Sequence, residues 1–158
     1  MATEIERKFL VAKENLARIQ PERSVHMRQG YLSRAPGRTV RVRIEDDRAF
    51  LTIKGRASGL ARPEFEYEIP LADASALLEM ADGPLVEKVR HYVPFGGLVW
   101  EVDEFFGDNE GLVVAEVELS CEDQAFEKPD FVGAEVTSDP RYLNSRLAVE
   151  PYSTWSKA

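Results

Sequence analysis

Six stretches of this chain carry like charges at alternate positions: Glu4/Glu6, Arg41/Arg43, Glu64/Glu66/Glu68, Lys88/Arg90, Glu101/Asp103 and Glu116/Glu118. Successive side chains of a strand point to opposite faces, so each charged set shares one face. Apolar residues such as Val40, Val42 and Ile44, or Phe65, Tyr67 and Ile69, take the other. In an ordinary half-buried sheet this alternation puts the apolar side in and the charged side out to water. A solvated face, however, has little reason to sort acids and bases onto separate strands, because like charges on one strand repel. Two same-face carboxylates about 7 Å apart cost roughly 2.4 kcal/mol at an effective dielectric near 20. A barrel lumen supplies the reason. A closed barrel of about eight strands encloses a small ligand, with basic strands along an anion and acidic strands holding its metal ions.

The first charged stretch, Glu4-Ile5-Glu6-Arg7-Lys8-Phe9-Leu10, lines up two acids and a base on one face, enough to hold a divalent metal beside an anion. Leu16 and Ile19 at helical spacing predict a short amphipathic helix over residues 13–20, stopped by Pro21. Strands are expected over residues 25–33, 38–45, 49–54, 62–69, 85–94, 98–106 and 112–120, with turns at Asp46-Asp47 and Gly96-Gly97. Apolar spacing predicts a second helix over residues 71–80, and residues 122–127 read as a helical turn. The tail from Phe131 is not readable in this way. The expected fold is α+β: an eight-stranded antiparallel closed β-barrel with a charged interior, its apolar outer faces covered by a few flanking helices.

With 158 residues the chain reads as one domain, 1–158, long enough to bury a core without disulfides. Its net charge of −8 argues against nucleic acid as a partner. Yet ten of the 20 Lys and Arg lie between Arg23 and Arg62 beside only three acids, which suggests a compact anionic ligand held locally. A single cysteine, Cys121, no leader and no bilayer-length apolar run indicate a cytoplasmic protein with no membrane partner. His26 and His91 lack metal-ligand spacing, Trp100 and Trp155 read as packing residues, and no Gly-rich nucleotide loop is present. A homo-oligomer is left open.

Glu4-x-Glu6-x-Lys8, followed in order by Arg41-Val42-Arg43, Thr52-Ile53-Lys54, the Glu64/Glu66/Glu68 strand, Lys88-Val89-Arg90, Asp103 and Glu116-Val117-Glu118, resembles the CYTH superfamily of triphosphate tunnel metalloenzymes. Arg141-Tyr142-Leu143-Asn144 resembles the C-terminal stretch of that family. The resemblance implies an eight-stranded tunnel and divalent-metal-dependent hydrolysis of inorganic triphosphate to pyrophosphate and phosphate, with Mg²⁺ or Mn²⁺ as cofactor and a small-molecule triphosphate as partner. Thiamine triphosphatase and class IV adenylate cyclase are alternatives within the superfamily. A non-catalytic polyphosphate- or nucleotide-binding module using the same basic strands is a third.

The resemblance further implies Lys8, Arg41, Arg43, Lys54, Lys88 and Arg90 as phosphate ligands, arginine forks suiting bidentate contacts and lysines acting as point charges. It implies Glu4, Glu6, Glu116 and Glu118 as metal ligands, with Asp103 nearby. Lys8, Lys54 and Glu66 are the candidates for catalysis. Glu64, Glu66 and Glu68 cannot all serve metals, so some should pair with arginines. Tyr31 could pair with Lys54 to activate water, or simply pack, the reading preferred here; no general base is assigned.

Overall fold

The computed structural model describes residues 3–155. Eight strands form the frame: β1 (Thr3–Leu10), β2 (Arg23–Ala35), β3 (Arg38–Glu45), β4 (Arg48–Gly55), β5 (Ala61–Ile69), β6 (Val86–Phe95), β7 (Leu98–Phe105) and β8 (Val113–Glu118). They close antiparallel in the order β1-β5-β4-β3-β2-β6-β7-β8. Two hairpin meanders, β2 to β5 and β6 to β8, therefore sit side by side. β1 joins them and removes both edges.

The expected barrel is present, and each strand falls where alternation places it. Gly96 and Gly97 sit at φ 60° and 80° in the β6–β7 turn, a left-handed pair that suits a tight hairpin. A bulge between Tyr31 and Ser33 interrupts the β2–β3 register and frees Leu32 to pack outward. At Gly30 a Cβ would stand 2.7 Å from Leu85 and 2.8 Å from Ala81, so only glycine lets the chain returning from the first helix lie this close to β2.

The apolar core lies outside the barrel, as the charge sorting demands. One cluster joins Phe9, Trp100, Val102, Val113, Ala115 and Val117, with Phe9, Trp100 and Phe126 as neighbouring rings. Another places helix α1 (Leu71–Leu78) over Val42, Ile44 and Ala49 through Ala74 and Leu78. A third, around Tyr142, Leu147 and Phe105, anchors the C-terminal segment with its short helix α2 (Asn144–Leu147). Trp155 stacks edge-on against Tyr142, a packing role as expected.

Two expectations are corrected. Residues 13–20 yield a 3₁₀ helix, Lys13–Arg18, in which Ala12 offers no side-chain cap. Residues 122–127 keep one hydrogen-bonded turn, Gln124 N donating to Cys121 O at 3.2 Å, but form no helix, because side-chain contacts hold the segment. Glu122 accepts from Leu60 N at 2.6 Å, Gln124 from Ser120 N at 2.6 Å, and Phe126 docks on Trp100. The apolar outer faces carry the expected few helices together with non-helical segments around Phe126, Phe131 and Val132, while Ile53, Phe65 and Tyr67 on β4 and β5 stay exposed.

Candidate active site

The inner faces of the strands enclose a cavity of about 280 Å³. Its lining takes Glu4, Glu6 and Lys8 from β1, Arg41 and Arg43 from β3, Lys54 from β4, Glu64 and Glu66 from β5, Arg90 from β6, and Glu116 and Glu118 from β8. Ten of the twelve candidate site residues thus share one lumen. The other two, Lys88 and Asp103, do not line it. Both are fully buried, where Lys88 Nζ donates to Asp103 at 2.8 Å and Arg90 closes on the same carboxylate with two bonds of 2.7 and 2.9 Å. Asp103 is saturated by cations, so it braces Arg90 in place of standing among metal ligands. Glu101, one alternation back on β7, lines the cavity instead and pairs with Arg90 at 3.2 Å.

Cations and acids divide the lumen into two walls. On the basic wall Arg43 is nearly fully buried, its Nε donating to Gln29 Oε1 at 2.8 Å. Burial, with Arg41 and Arg90 beside it, lowers the Arg43 guanidinium to about 10. Burial likewise lowers Lys88 to about 7, Arg90 and Arg43 adding to it against the pull of Asp103. Burial and one another's charge oppose the ionised forms of these groups. An anion would relieve them.

On the acidic wall Glu6 faces Glu118 directly across the β1–β8 pair. Burial, then the Glu116 charge, raises Glu6 well above the usual carboxylate range. Burial and Glu4 raise Glu118, and burial with Glu4 raises Glu64 to about 7. Glu116 and Glu4 are the exceptions: burial would raise both, but Lys8 and Arg90 outweigh it at Glu116 and hold it at about 2, and Lys54 outweighs it at Glu4. Glu4 turns to Lys54, which reaches its two oxygens at 3.0 and 3.1 Å and Glu64 at 3.4 Å. Oxygen-only donors crowded until they resist ionisation fit a hard divalent cation. In this arrangement no three described His, Cys, Asp or Glu converge closely enough to hold one, so the carboxylates would have to rotate toward it.

The remaining expectations resolve individually. Glu66 accepts from Thr52 Oγ1 at 2.9 Å and pairs with Arg41 at 3.6 Å, while Glu68 forms a two-bonded pair with Arg48 at the surface. Tyr31 is packed, its hydroxyl accepting from Gln29 Nε2 at 3.3 Å, and no bond joins it to Lys54 among the described residues. His26 pairs with Glu87 at 2.6 Å, and His91 lies between Ser24 and Glu104; both are outward-facing strand histidines.

Sequence reasoning missed the end wall. Lys8 Nζ donates to Tyr142 O at 3.3 Å, and Asn144 Oδ1 accepts from Lys88 at 3.1 Å and from Gln29 at 3.2 Å. Leu143, Asn144 and Ser145 line the cavity there. Gln29, Thr39, Thr52 and Arg62 were also missed. Arg62 had a signal, since it shares its face with Glu64 and Glu66.

The CYTH domain family model matches residues 2–147. The chain belongs to the CYTH domain family. This CYTH domain is 46% identical to an inorganic triphosphatase of Acetivibrio thermocellus over 158 residues, 99% of this chain and 100% of that one. It is 39% identical over 156 residues to an inorganic triphosphatase of Nitrosomonas europaea, covering 93% of this chain and 97% of its relative. A crystal structure of an inorganic triphosphatase superposes with a TM-score of 0.65 at 37% identity, over 94% of this CYTH domain and 95% of that chain.

Proposed function

We propose that this CYTH domain hydrolyses inorganic triphosphate to pyrophosphate and phosphate with a divalent metal, Mg²⁺ or Mn²⁺. The observation that carries this reading is the pair of opposed strains in one lumen. Burial, with neighbouring positive charge, lowers Arg43 on the basic wall, while burial and neighbouring negative charge raise Glu6, Glu64 and Glu118 on the acidic one. A metal–triphosphate complex relieves both walls together. Neither a bare anion nor a bare cation would.

Lys8, Arg41, Arg43, Lys54 and Arg90 bind the phosphate oxygens, the arginines as forks and the lysines as point charges. Glu4, Glu6, Glu116 and Glu118 would hold the metal, which when bound neutralises phosphate oxygens and acidifies water. Glu4 must exchange Lys54 for the metal, and that exchange frees the Lys54 ammonium to meet phosphate. Glu66, tied to Thr52 and Arg41, keeps Arg41 aimed into the lumen. Lys88 and Asp103, on the same inner faces as Arg90 and Glu101 but outside the cavity lining, act by fixing Arg90. Catalysis is then mostly positioning and charge stabilisation, which suits phosphoryl transfer.

The substrate is a free small molecule taken up by a cytoplasmic protein, without nucleic acid or membrane. No described helix is long and apolar enough to cross a membrane. The test is phosphate release from inorganic triphosphate and from ATP, each with and without Mg²⁺ or Mn²⁺, with the ATP reaction checked for cyclic AMP. Metal-dependent release that favours inorganic triphosphate is expected. Cyclic AMP, or no turnover by folded protein, would displace this reading.

A further inference from the structure

Arg62 is the one cation lining the cavity, among the described residues, with no carboxylate at ion-pair distance. Lys8 has Glu116 at 3.8 Å, Arg41 has Glu66 at 3.6 Å, Arg43 has Glu45 at 3.7 Å, Lys54 has Glu4, and Arg90 has Asp103. Arg62 has a single weak contact, Nη2 donating to Thr39 Oγ1 at 3.4 Å, and its Nε is buried without a partner.

Two acids stand near enough in the sheet to have answered it. Glu4 faces Arg62 across the β1–β5 pair, and Glu64 follows two residues later on the same face. Both turn to Lys54 instead. An arginine at the surface needs no partner because water solvates it; an arginine half-buried in a lumen, with one nitrogen sealed from solvent, has lost part of that solvation. The Lys54 pairing keeps the Arg62 guanidinium unneutralised inside the cavity, where its planar fork suits two oxygens of one phosphate.

We propose that Arg62 is a further phosphate ligand, contributing ground-state binding of the inorganic triphosphate beside Lys8, Arg41 and Arg43. This rests on the triphosphatase reading above. The contact is a charge-assisted, two-bonded one, so its loss weakens binding by about 10- to 100-fold. A lysine at this position restores the charge without the fork and recovers part of it.

The experiment compares wild type with Arg62→Ala, Arg62→Gln and Arg62→Lys, measuring tripolyphosphate affinity by calorimetry in EDTA and KM and kcat with metal. Expected are a Kd and a KM raised at least about tenfold in Arg62→Ala and Arg62→Gln, with Arg62→Lys between them and wild type. Melting temperatures without anion should stay within about 3 °C of wild type, because Arg62 has no ion pair to lose. Should Arg62→Ala fail to fold, the near-isosteric Arg62→Gln decides. A variant that binds tripolyphosphate as tightly as wild type overturns the assignment, whatever its rate. A wild-type protein that neither binds nor hydrolyses tripolyphosphate overturns the triphosphatase reading itself, a result distinguishable from failure at Arg62 alone.

Discussion

Glu6 and Glu118 face each other in register across β1 and β8, two carboxylates without an ion pair to either among the described residues. Like charges directly opposite destabilise a strand pair by up to about 1 kcal/mol. Glu6→Gln therefore leaves the protein in EDTA at least as stable as wild type in urea unfolding, while metal-dependent phosphate release falls by about 100-fold or more. Burial and the Glu116 charge raise the Glu6 carboxyl well above the usual carboxylate range, and a bound metal would pull it back down, so metal binding releases protons at any pH between the two. Calorimetric titrations in two buffers of different ionisation enthalpy read this directly. Equal heats in both would mean Glu6 is already ionised.

Asp103 behaves in the opposite way. It is fully buried between Lys88 and Arg90, and the two cations hold its carboxyl far below the usual range despite burial. Asp103→Ala strands both cations, a change that costs about 3–5 kcal/mol. Adding Lys88→Met to it recovers part of the loss, since one of the two stranded charges is then gone. Urea midpoints of the two single variants and the double variant decide it; a loss below about 1 kcal/mol in Asp103→Ala would show that the cations find other partners.

The barrel was legible because period-two alternation survives whichever side faces water, and the sorting of charge by strand then told which side that was. Depth along each strand was not legible. Glu101 and Asp103 share a face, and only their depth along β7 makes the first line the cavity while the second lies fully buried beyond it. Arg62 was hidden among the acids of its own strand, where a lone positive charge reads as a local counterion for Glu64. The C-terminal segment left no periodic trace, because it reaches the site through one backbone carbonyl, Tyr142 O, and one amide, Asn144.

Stability of the protein in EDTA should peak in mildly acid solution. Unfolded, Glu116 and Asp103 take up protons near 4.5 and 3.8; folded, Glu116 does so only at about 2 and Asp103 lower still. Between these values the unfolded chain binds more protons, so stability from this pair is complete above about pH 5 and is lost as pH falls toward 2. Glu116 alone accounts for about 3 kcal/mol. Glu64, raised to about 7, has the reverse sign: folded protein holds its proton from 4.5 up to about 7, so stability falls as pH rises through that window. Glu6 and Glu118 act in the same direction. The melting temperature should therefore pass through a maximum between about pH 4.5 and 6, and saturating metal should move that maximum upward. A steady rise in melting temperature to pH 8 in EDTA would contradict the crowding of the acidic wall.

Gln29 is fully buried and joins three elements through one amide. Its oxygen accepts from Arg43 Nε at 2.8 Å, and its nitrogen donates to the Tyr31 hydroxyl at 3.3 Å and to Asn144 Oδ1 at 3.2 Å. Gln29→Leu keeps the volume but removes every one of these bonds. Arg43 then has a buried nitrogen unmet, which costs about 1–3 kcal/mol. Arg43 also loses the group that fixes its fork, so KM for inorganic triphosphate should rise by about tenfold, more than kcat falls. Gln29→Glu separates position from packing. A carboxylate still accepts from Arg43, but its charge offsets the guanidinium that must meet phosphate, so affinity should drop further even if stability recovers. Steady-state kinetics alongside urea unfolding of the two variants test this, and unchanged KM in both would make Gln29 a packing residue only.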